Sequence, residues 1–478
     1  MATHPNGAAP ANASKGSALT LVAMGISVLI LANDFSALNV AIPEIEADLG
    51  ASLDTTQWVI NGYALVFAMA IVTGGRLADM FGRKRIYLVG AVLFGVLSLL
   101  GGLAPNIGLL IAARSAMGIG GALLWPATLG ITYAALPKAK AGLAGALIIG
   151  AAGIGQGLGP ILGGVLTELA SWRWTLLINV PIVLVAIGAT LATVHEPPGD
   201  RQRRHLDVRG IVTLSLALFT FLFSLDQSGD WGLTDPRIVG GFVLSVVLLV
   251  AFVRIERHQG DDALVPSDVM GNRSFRSACI AVALLAPVFF ASLLYLPQFL
   301  QKVLDRSPIG AGVGMLPMMI VFAGVSFASG KLYDRFGARV MVTAGSACFV
   351  LGPLLLSFVD ETTTYAQLVP GMVVIGLGLG LFFSAVTTSA VTSVGDDRAS
   401  LAGGLVYMFQ IAGGAIGLGL TTALVLEVAS STNLAEAIGR GFLLVAGIGL
   451  IGFVVASTRV GAGRDRPRHH GWHLRHHA

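Results

Sequence analysis

Charge is scarce in this chain. Asp, Glu, Lys and Arg make up 12% of its 478 residues, where a water-soluble globule usually carries about 25%. Cysteine is scarcer still: Cys279 and Cys348 are the only two, both in or beside apolar runs. They supply no disulfide framework, and each reads as a small packing residue. Patterns of soluble catalysis are missing as well. No Walker sequence, no His-Glu-x-x-His zinc pattern and no Gly-x-Ser-x-Gly nucleophile elbow occurs. The run GIGQGLG (153–159) sits inside an apolar stretch rather than after a strand, so it is no nucleotide loop. The first 16 residues carry one charge, Lys15, and lead into a long apolar run with no small-residue cleavage site. They predict an uncleaved first helix rather than a signal peptide.

What the chain has in abundance is apolar length. It is 55% hydrophobic, with a mean hydropathy of +0.80. Fourteen apolar stretches follow one another, at 17–42, 56–78, 85–104, 107–134, 141–170, 174–195, 209–228, 236–257, 275–303, 310–332, 337–359, 366–394, 401–428 and 441–459. About 20 apolar residues cross a bilayer as a helix, and only helices or closed barrels satisfy their backbone there. The fold class predicted is an all-α polytopic membrane protein.

The basic residues set an orientation. With the N-terminus in the cytoplasm, 24 of the 30 Lys and Arg fall on cytoplasmic segments. The opposite side holds only Arg173, Arg237, Lys302, Arg306 and Arg440, while Arg114 lies within a helix. Such a bias predicts cytoplasmic N- and C-termini, as the even helix number also requires. Spread over many short loops, these charges do not form a nucleic-acid surface.

The chain also repeats itself. GRLADMFGRKR (75–85) recurs as GKLYDRFGAR (330–339), with Gly75, Leu77, Asp79, Phe81 and Gly82 matching Gly330, Leu332, Asp334, Phe336 and Gly337. A second echo pairs Gly145, Gly155 and Gly159 with Gly403, Gly413 and Gly417. The organisation predicted is a cytoplasmic segment (1–16), a six-helix bundle (17–195), and a linker with two extra transmembrane helices (196–274). A second six-helix bundle (275–459) and a His/Arg-rich cytoplasmic tail (460–478) complete it. Duplication of this kind typifies secondary transporters, which bind substrate near midplane between the repeats. The tail carries five His and is read as a solvated segment, although metal or anionic lipid would also suit it.

The first repeated loop resembles the signature of the major facilitator superfamily between helices 2 and 3, with Met80 where the family often has Arg. GQGLGPILGG (155–164) is similar to the Gly-Pro signature of that superfamily's antiporter branch; Ala146 replaces one of its glycines. DFSALNVAIPEI (34–45) and WRWTLLINVP (172–181) resemble hallmarks of the fourteen-helix drug:proton antiporter family. The resemblance spans essentially the whole chain. It implies a major facilitator fold, two six-helix halves plus two inserted helices. Gly75, Asp79, Gly82, Arg83, Gly155, Gly159, Pro160, Gly163, Gly164, Asp334, Arg335 and Gly337 are then its conformational motif residues. In physical terms, Asp79 is expected to cap the following helix, and Arg83, Lys84 and Arg85 to anchor the loop at the inner leaflet. Gly155, Gly159 and Gly163 make a stripe for close helix packing, and Pro160 favours a bend.

Two charges lie deep within helices. Asp34 is about 12 Å and Arg114 about 10 Å from the outer ends of their spans, at 1.5 Å per residue. A charge there costs on the order of 3 kcal/mol, so both are functional candidates. They are assigned to proton coupling, with Asp34 also in the substrate cavity; the alternative is a static brace. Gly118, Gly121 and Trp125 follow Arg114 at helical spacing, leaving either room for a ligand with Trp125 stacked on it or a helix contact. Tyr295 and Gln298 are further cavity candidates, while Gln156 and Gln410 read as interhelical hydrogen-bonding groups.

These features predict a proton-driven efflux transporter of the bacterial plasma membrane, exporting an amphipathic drug, antibiotic or secondary metabolite by alternating access. Its expected partners are the bilayer, protons and the small molecule; no nucleic acid, metal or cofactor is expected, and the working unit is a monomer. Helices 7 and 8 read as peripheral spacers. The rivals are an importer or uniporter, a polytopic membrane enzyme, and a sensor. The helix 5 signature argues against the first, and no cluster of His, Asp or Glu at one membrane face outside the tail supports the second.

Overall fold

The structure, a computed structural model, describes residues 11–194, 207–232, 234–260, 263–429 and 432–460. The N-terminal ten residues, the basic run at 201–204 and the histidine-rich tail lie outside them. The described residues contain helices and no strand. Among the described residues thirteen helices are long and apolar enough to cross a membrane, and the longest of them, Leu316–Leu356, breaks at Gly337, where φ is 79°. Counting each side of that break gives fourteen spans. They are α1 (Ala11–Leu49), α2 (Leu53–Phe81), α3 (Arg83–Gly102), α4 (Ile107–Ala134), α5 (Ala141–Leu169), α6 (Trp174–Thr193) and α7 (Val208–Trp231). The rest are α8 (Pro236–Gln259), α9 (Arg273–Lys302), α10 (316–336), α11 (338–356), α12 (Tyr365–Ser393), α13 (Ala399–Ala429) and α14 (Leu434–Arg459). The stretch expected at 310–332 is thus divided: a short helix, Pro308–Gly314, precedes α10.

Polar residues start the helices where the chain enters the bilayer. Asn106, Asp207, Asn272 and Asn433 each accept a backbone N–H from the first turn of α4, α7, α9 and α14. Asp235 does the same for α8, followed by Pro236 at the first helical position. These caps satisfy donors that lipid cannot. The two repeated loops turn at the same place: Gly82 has φ 102° and Gly337 has φ 79°. A side chain at either position would be strained, which is why glycine recurs there.

Small residues let the helices meet. A Cβ added at Gly155, Gly159 or Gly163 of α5 would overlap the Leu29 carbonyl, the Ser36 hydroxyl or the Ala37 carbonyl of α1. Cβ atoms at Gly413 and Gly417 of α13 would likewise strike Ala283 and Pro287 of α9. For these two glycine pairs of the echo, the sequence repeats one packing contact, α5 on α1 and α13 on α9. The opposite face of α5 meets α10, where Gly150 and Gly153 lie against the rings of Phe327 and Phe322. Lipid hydrocarbon gives helices little hydrophobic reason to associate, so close packing of this kind holds the bundle together.

The inserted pair packs on itself through Gly241 against Ser224 and a Ser245-to-Ala217 carbonyl hydrogen bond of 2.9 Å. Helix α7 then lies along α2, with Ser215 donating to the Met69 carbonyl at 3.2 Å, and reaches α13 where Leu225 meets Gly419. Helix α8 turns Val243, Val246, Val247 and Val250 outward.

Candidate functional site

The deep charges meet. Arg114 Nη1 donates to Asp34 Oδ2 at 2.6 Å, and both residues are 1% exposed. Four helices besides α1 close around Asp34. Arg114 comes from α4; its Nε donates to the Val59 carbonyl of α2 at 3.2 Å, and its guanidinium lies 4.4 Å from the Tyr63 ring centroid. Asn179 of α6 donates to Asp34 Oδ1 at 2.9 Å and to Ser98 Oγ of α3 at 3.0 Å. Ser98 passes the chain on, donating to the Leu176 carbonyl at 2.8 Å. Each carboxylate oxygen of Asp34 therefore has its own donor. A buried ion pair needs such satisfaction to repay the desolvation of its charges. In this conformation the Asp34 side chain is fully buried.

Asn179 is not among the site residues that the sequence predicts, although it lies in the segment WRWTLLINVP. Its signal is a polar side chain in an apolar run, one turn from the start of α6. The tryptophan and arginine before it, Trp172 and Arg173, fasten the end of α6 to Asp48 of α1, at 3.0 and 2.5 Å. Arg76, which the sequence groups with the cytoplasmic loop, is a further buried charge, only 2% exposed within α2.

An aromatic series leads from the ion pair to the other half. Tyr63 stacks on Phe67 at 5.9 Å, Phe67 meets Tyr407 of α13 edge-on at 5.7 Å, and Trp125 of α4 lies 4.6 Å from Tyr407. Trp125 thus rests on a protein ring. Gly118 and Gly121 serve the same contact, since Cβ atoms there would press on the Tyr63 and Phe67 backbone and rings; they pack rather than leave room. Tyr63 Oη and Trp125 Nε1 are buried without a hydrogen-bond partner among the described residues. Tyr295 donates to Thr422 at 2.7 Å, and Gln298 is half-buried. Gln156 bonds across helices through its carbonyl, which accepts from Ser36 at 3.2 Å, while its side-chain oxygen has no partner among the described residues. Gln410 is half-buried.

At the face carrying the repeated loops, the two halves are joined. Asp79 accepts from the backbone N–H groups of Ser400 (3.3 Å) and Leu401 (2.8 Å), in the first turn of α13. It does not cap α3: Gly82 turns the chain after it, so Asp79 stays in the last turn of α2 and points across to the other half. Arg83 braces the contact, donating to Asp79 at 3.1 Å, to the Gly130 carbonyl at 3.0 Å and to the Asp396 carbonyl. Only Arg85 of the basic trio is exposed; Lys84 is tied to the Val194 carbonyl at the end of α6, at 2.6 Å. Gly75 lets the backbones touch, since a Cβ there would sit 2.6 Å from the Ser400 carbonyl oxygen. In the second copy, Asp334 takes the Gly142 backbone N–H in the first turn of α5, while Arg335 is exposed. Each half thus offers an aspartate to the positive N-terminal end of a helix in the other, a favourable placement.

The sequence matches the family model described as Major Facilitator Superfamily over residues 24–418. It is 34% identical to the puromycin resistance protein pur8 of Streptomyces alboniger, over 84% of this chain and 80% of that protein. It is 33% identical to the multidrug resistance protein Stp of Mycobacterium tuberculosis, covering 87% and 77%. With the lincomycin resistance protein of Streptomyces lincolnensis it shares 32% identity over 92% and 90% of the two chains. Among solved structures, the human organic anion transporter MFSD10 aligns with a TM-score of 0.67 over 92% of this chain and 99% of that one. At 15% identity, that likeness speaks for the fold alone.

Proposed function

Because this chain belongs to the Major Facilitator Superfamily, we propose that it is a multidrug or antibiotic efflux transporter, exchanging its substrate for protons by alternating access. The curated relatives named for antibiotic and multidrug resistance support the direction and the class of substrate. The proton reading rests on one observation, the Asp34–Arg114 pair buried inside the N-terminal half. The repeated-loop face is the cytoplasmic face of a bacterial plasma membrane, and the protein works as a monomer without a cofactor. Joined there through Asp79 and Asp334, the two halves represent the state closed to the cytoplasm.

The energetics follow from the pair. A proton on Asp34 removes the anion that faces Arg114 and leaves a buried guanidinium uncompensated, which costs several kcal/mol. That penalty favours a rearrangement in which Arg114 finds water or another partner. Proton entry from outside and release to the cytoplasm would then drive the cycle against a substrate gradient.

The test is purified protein in proteoliposomes with an imposed pH gradient, using puromycin and lincomycin among the compounds. Gradient-dependent flux is expected, and turnover without any gradient would favour an enzyme instead. Asp34→Asn is expected to abolish the flux in protein that remains folded and inserted. Full gradient-driven export by that variant would refute the proton assignment.

A further inference from the structure

A recess of about 780 Å³ opens where α2, α7, α8, α9 and α13 come together, in the half of the bundle away from the repeated loops. That volume lies within the range of drug-sized sites, roughly 300–1,000 Å³. Its aromatic walls come from three parts of the chain: Trp58 on α2, Phe221, Phe223 and Phe242 on the inserted pair, and Phe290 on α9. No Asp, Glu, Lys or Arg lines it among the described residues. Three polar side chains do, Asn61, Ser228 and Thr422. Leu420 and Leu426, 54% and 62% exposed, edge its mouth, so it opens sideways toward hydrocarbon.

We infer that this recess is a binding site for an uncharged aromatic amphipath, one wall of which the inserted pair supplies. The inference rests on the efflux reading and deepens it by naming a substrate class. Flat rings fit between aromatic walls at stacking or edge-on distances. The walls already show that geometry, with Phe223 5.8 Å from Trp58 and Phe221 5.7 Å from Phe242. A hydroxyl or carbonyl on the ligand would be met by the polar groups. Ser228 donates to the Leu225 carbonyl at 2.7 Å and keeps its oxygen lone pairs for an incoming donor. Thr422 is held by Tyr295 from behind, which gives that tyrosine a part in shaping the wall. Among the described lining residues a cation would find no counter-charge, at a cost of several kcal/mol, so these walls favour an uncharged ligand. An acyl chain would press methylenes against the Asn61 amide and the two hydroxyls, a poorer match than an amphipath.

The experiment is a titration of purified protein in nanodiscs with Nile red, an uncharged aromatic dye whose emission shifts blue in an apolar site. Wild type is expected to bind saturably. Ala64→Phe with Ala415→Phe projects two rings into the recess and is expected to weaken binding about tenfold or more. Val246→Phe, on the lipid-facing side of α8, is expected to change nothing. If the double variant does not fold, as judged by thermal melting, Phe223→Ala takes its place, with affinity expected to fall about fivefold. Equal affinity in wild type and in whichever variant folds would overturn the site. Retention of phospholipid by wild type but not by the filled variant, without dye binding, would also overturn it in favour of a lipid recess. Failure of efflux is a separate result: it shows as no gradient-driven flux in proteoliposomes, whatever the dye does.

Discussion

Replacing Asp79 by Asn tests whether the joined loop face is one end of a working equilibrium. Asp79 accepts from two backbone amides of α13 and from Arg83, at 2.8 to 3.3 Å. A hydrogen bond to a charged group contributes about 1.5–3 kcal/mol. Asn keeps one acceptor oxygen, loses the charge, and turns a donor toward N–H groups that need an acceptor. The expected loss to the closed state is about 2–4 kcal/mol. Each 1.4 kcal/mol is tenfold, so the balance between closed and open forms should move by roughly 30- to 900-fold. A minor state populated at about 1% would become comparable to, or larger than, the closed form.

Spin labels at Arg85→Cys and Arg339→Cys report this directly, because both positions are exposed on the two halves at that face. Cys279 and Cys348 would first be replaced. Electron–electron distance measurements on wild type should give one short distribution, and Asp79→Asn should add a long one. Transport should slow while equilibrium substrate binding stays within a few-fold, since Asp79 lies far from both the ion pair and the recess. An unchanged distance distribution in the Asn variant refutes the reasoning.

Arg114→Ala leaves the Asp34 carboxylate buried without its cation and should destabilise the protein by about 3–5 kcal/mol, read by thermal melting. Asp34→Asn combined with Arg114→Gln should recover most of that stability without recovering transport; recovery of both would make the pair a brace. Asn179→Ala removes a buried donor to a carboxylate and should cost about 1.5–3 kcal/mol, with unchanged melting counting against its role in holding Asp34. Gly155→Val forces a side chain into the Leu29 carbonyl and should lower folded yield strongly, whereas Gly447→Val, with nothing within 4 Å of an added Cβ, should not; equal yields would show that α5 does not need this contact.

Much of this arrangement was legible because helices convert spacing into position. The apolar runs mark the spans, and the offset between Gly82 and Gly337 marks two turns that both require positive φ. Depth along a helix placed Asp34 and Arg114 at one level, and they do meet. What spacing does not encode is which helices stand side by side. The partner of Asp79 is backbone 321 residues away, so no side-chain pattern announces it. Arg76 reads as part of the loop because it lies in the repeated segment GRLADMFGRKR, yet α2 continues past it and buries it. Trp125 was free to be a ligand platform until α13 brought Tyr407 against it. The inserted pair reads as peripheral because it has no deep charge; that it lines an apolar recess depends on which helices stand beside it.

Helix α2 is the element that the charge pair and the loop seal share. Near one end it offers the Val59 carbonyl and the Tyr63 ring to Arg114; at the other it carries Asp79. Sixteen residues separate Tyr63 from Asp79, about 24 Å of helix. Between them Phe67 meets Tyr407 of α13, the same helix whose first turn Asp79 holds. A displacement of Arg114 would therefore act on α2 at one level and on its contacts with α13 at two others. Packed helices tend to have discrete arrangements rather than continuous ones, so α2 would shift its ring contact and its aspartate together. On this view Arg114→Ala should lengthen the Arg85–Arg339 distances as well as lower stability, although the substitution lies in the opposite half of the membrane from the labels. A brace that only holds α1 to α4 has no reason to move them. The spin-label pair thus distinguishes a charge that stabilises one bundle from a charge that sets which face of the transporter is closed.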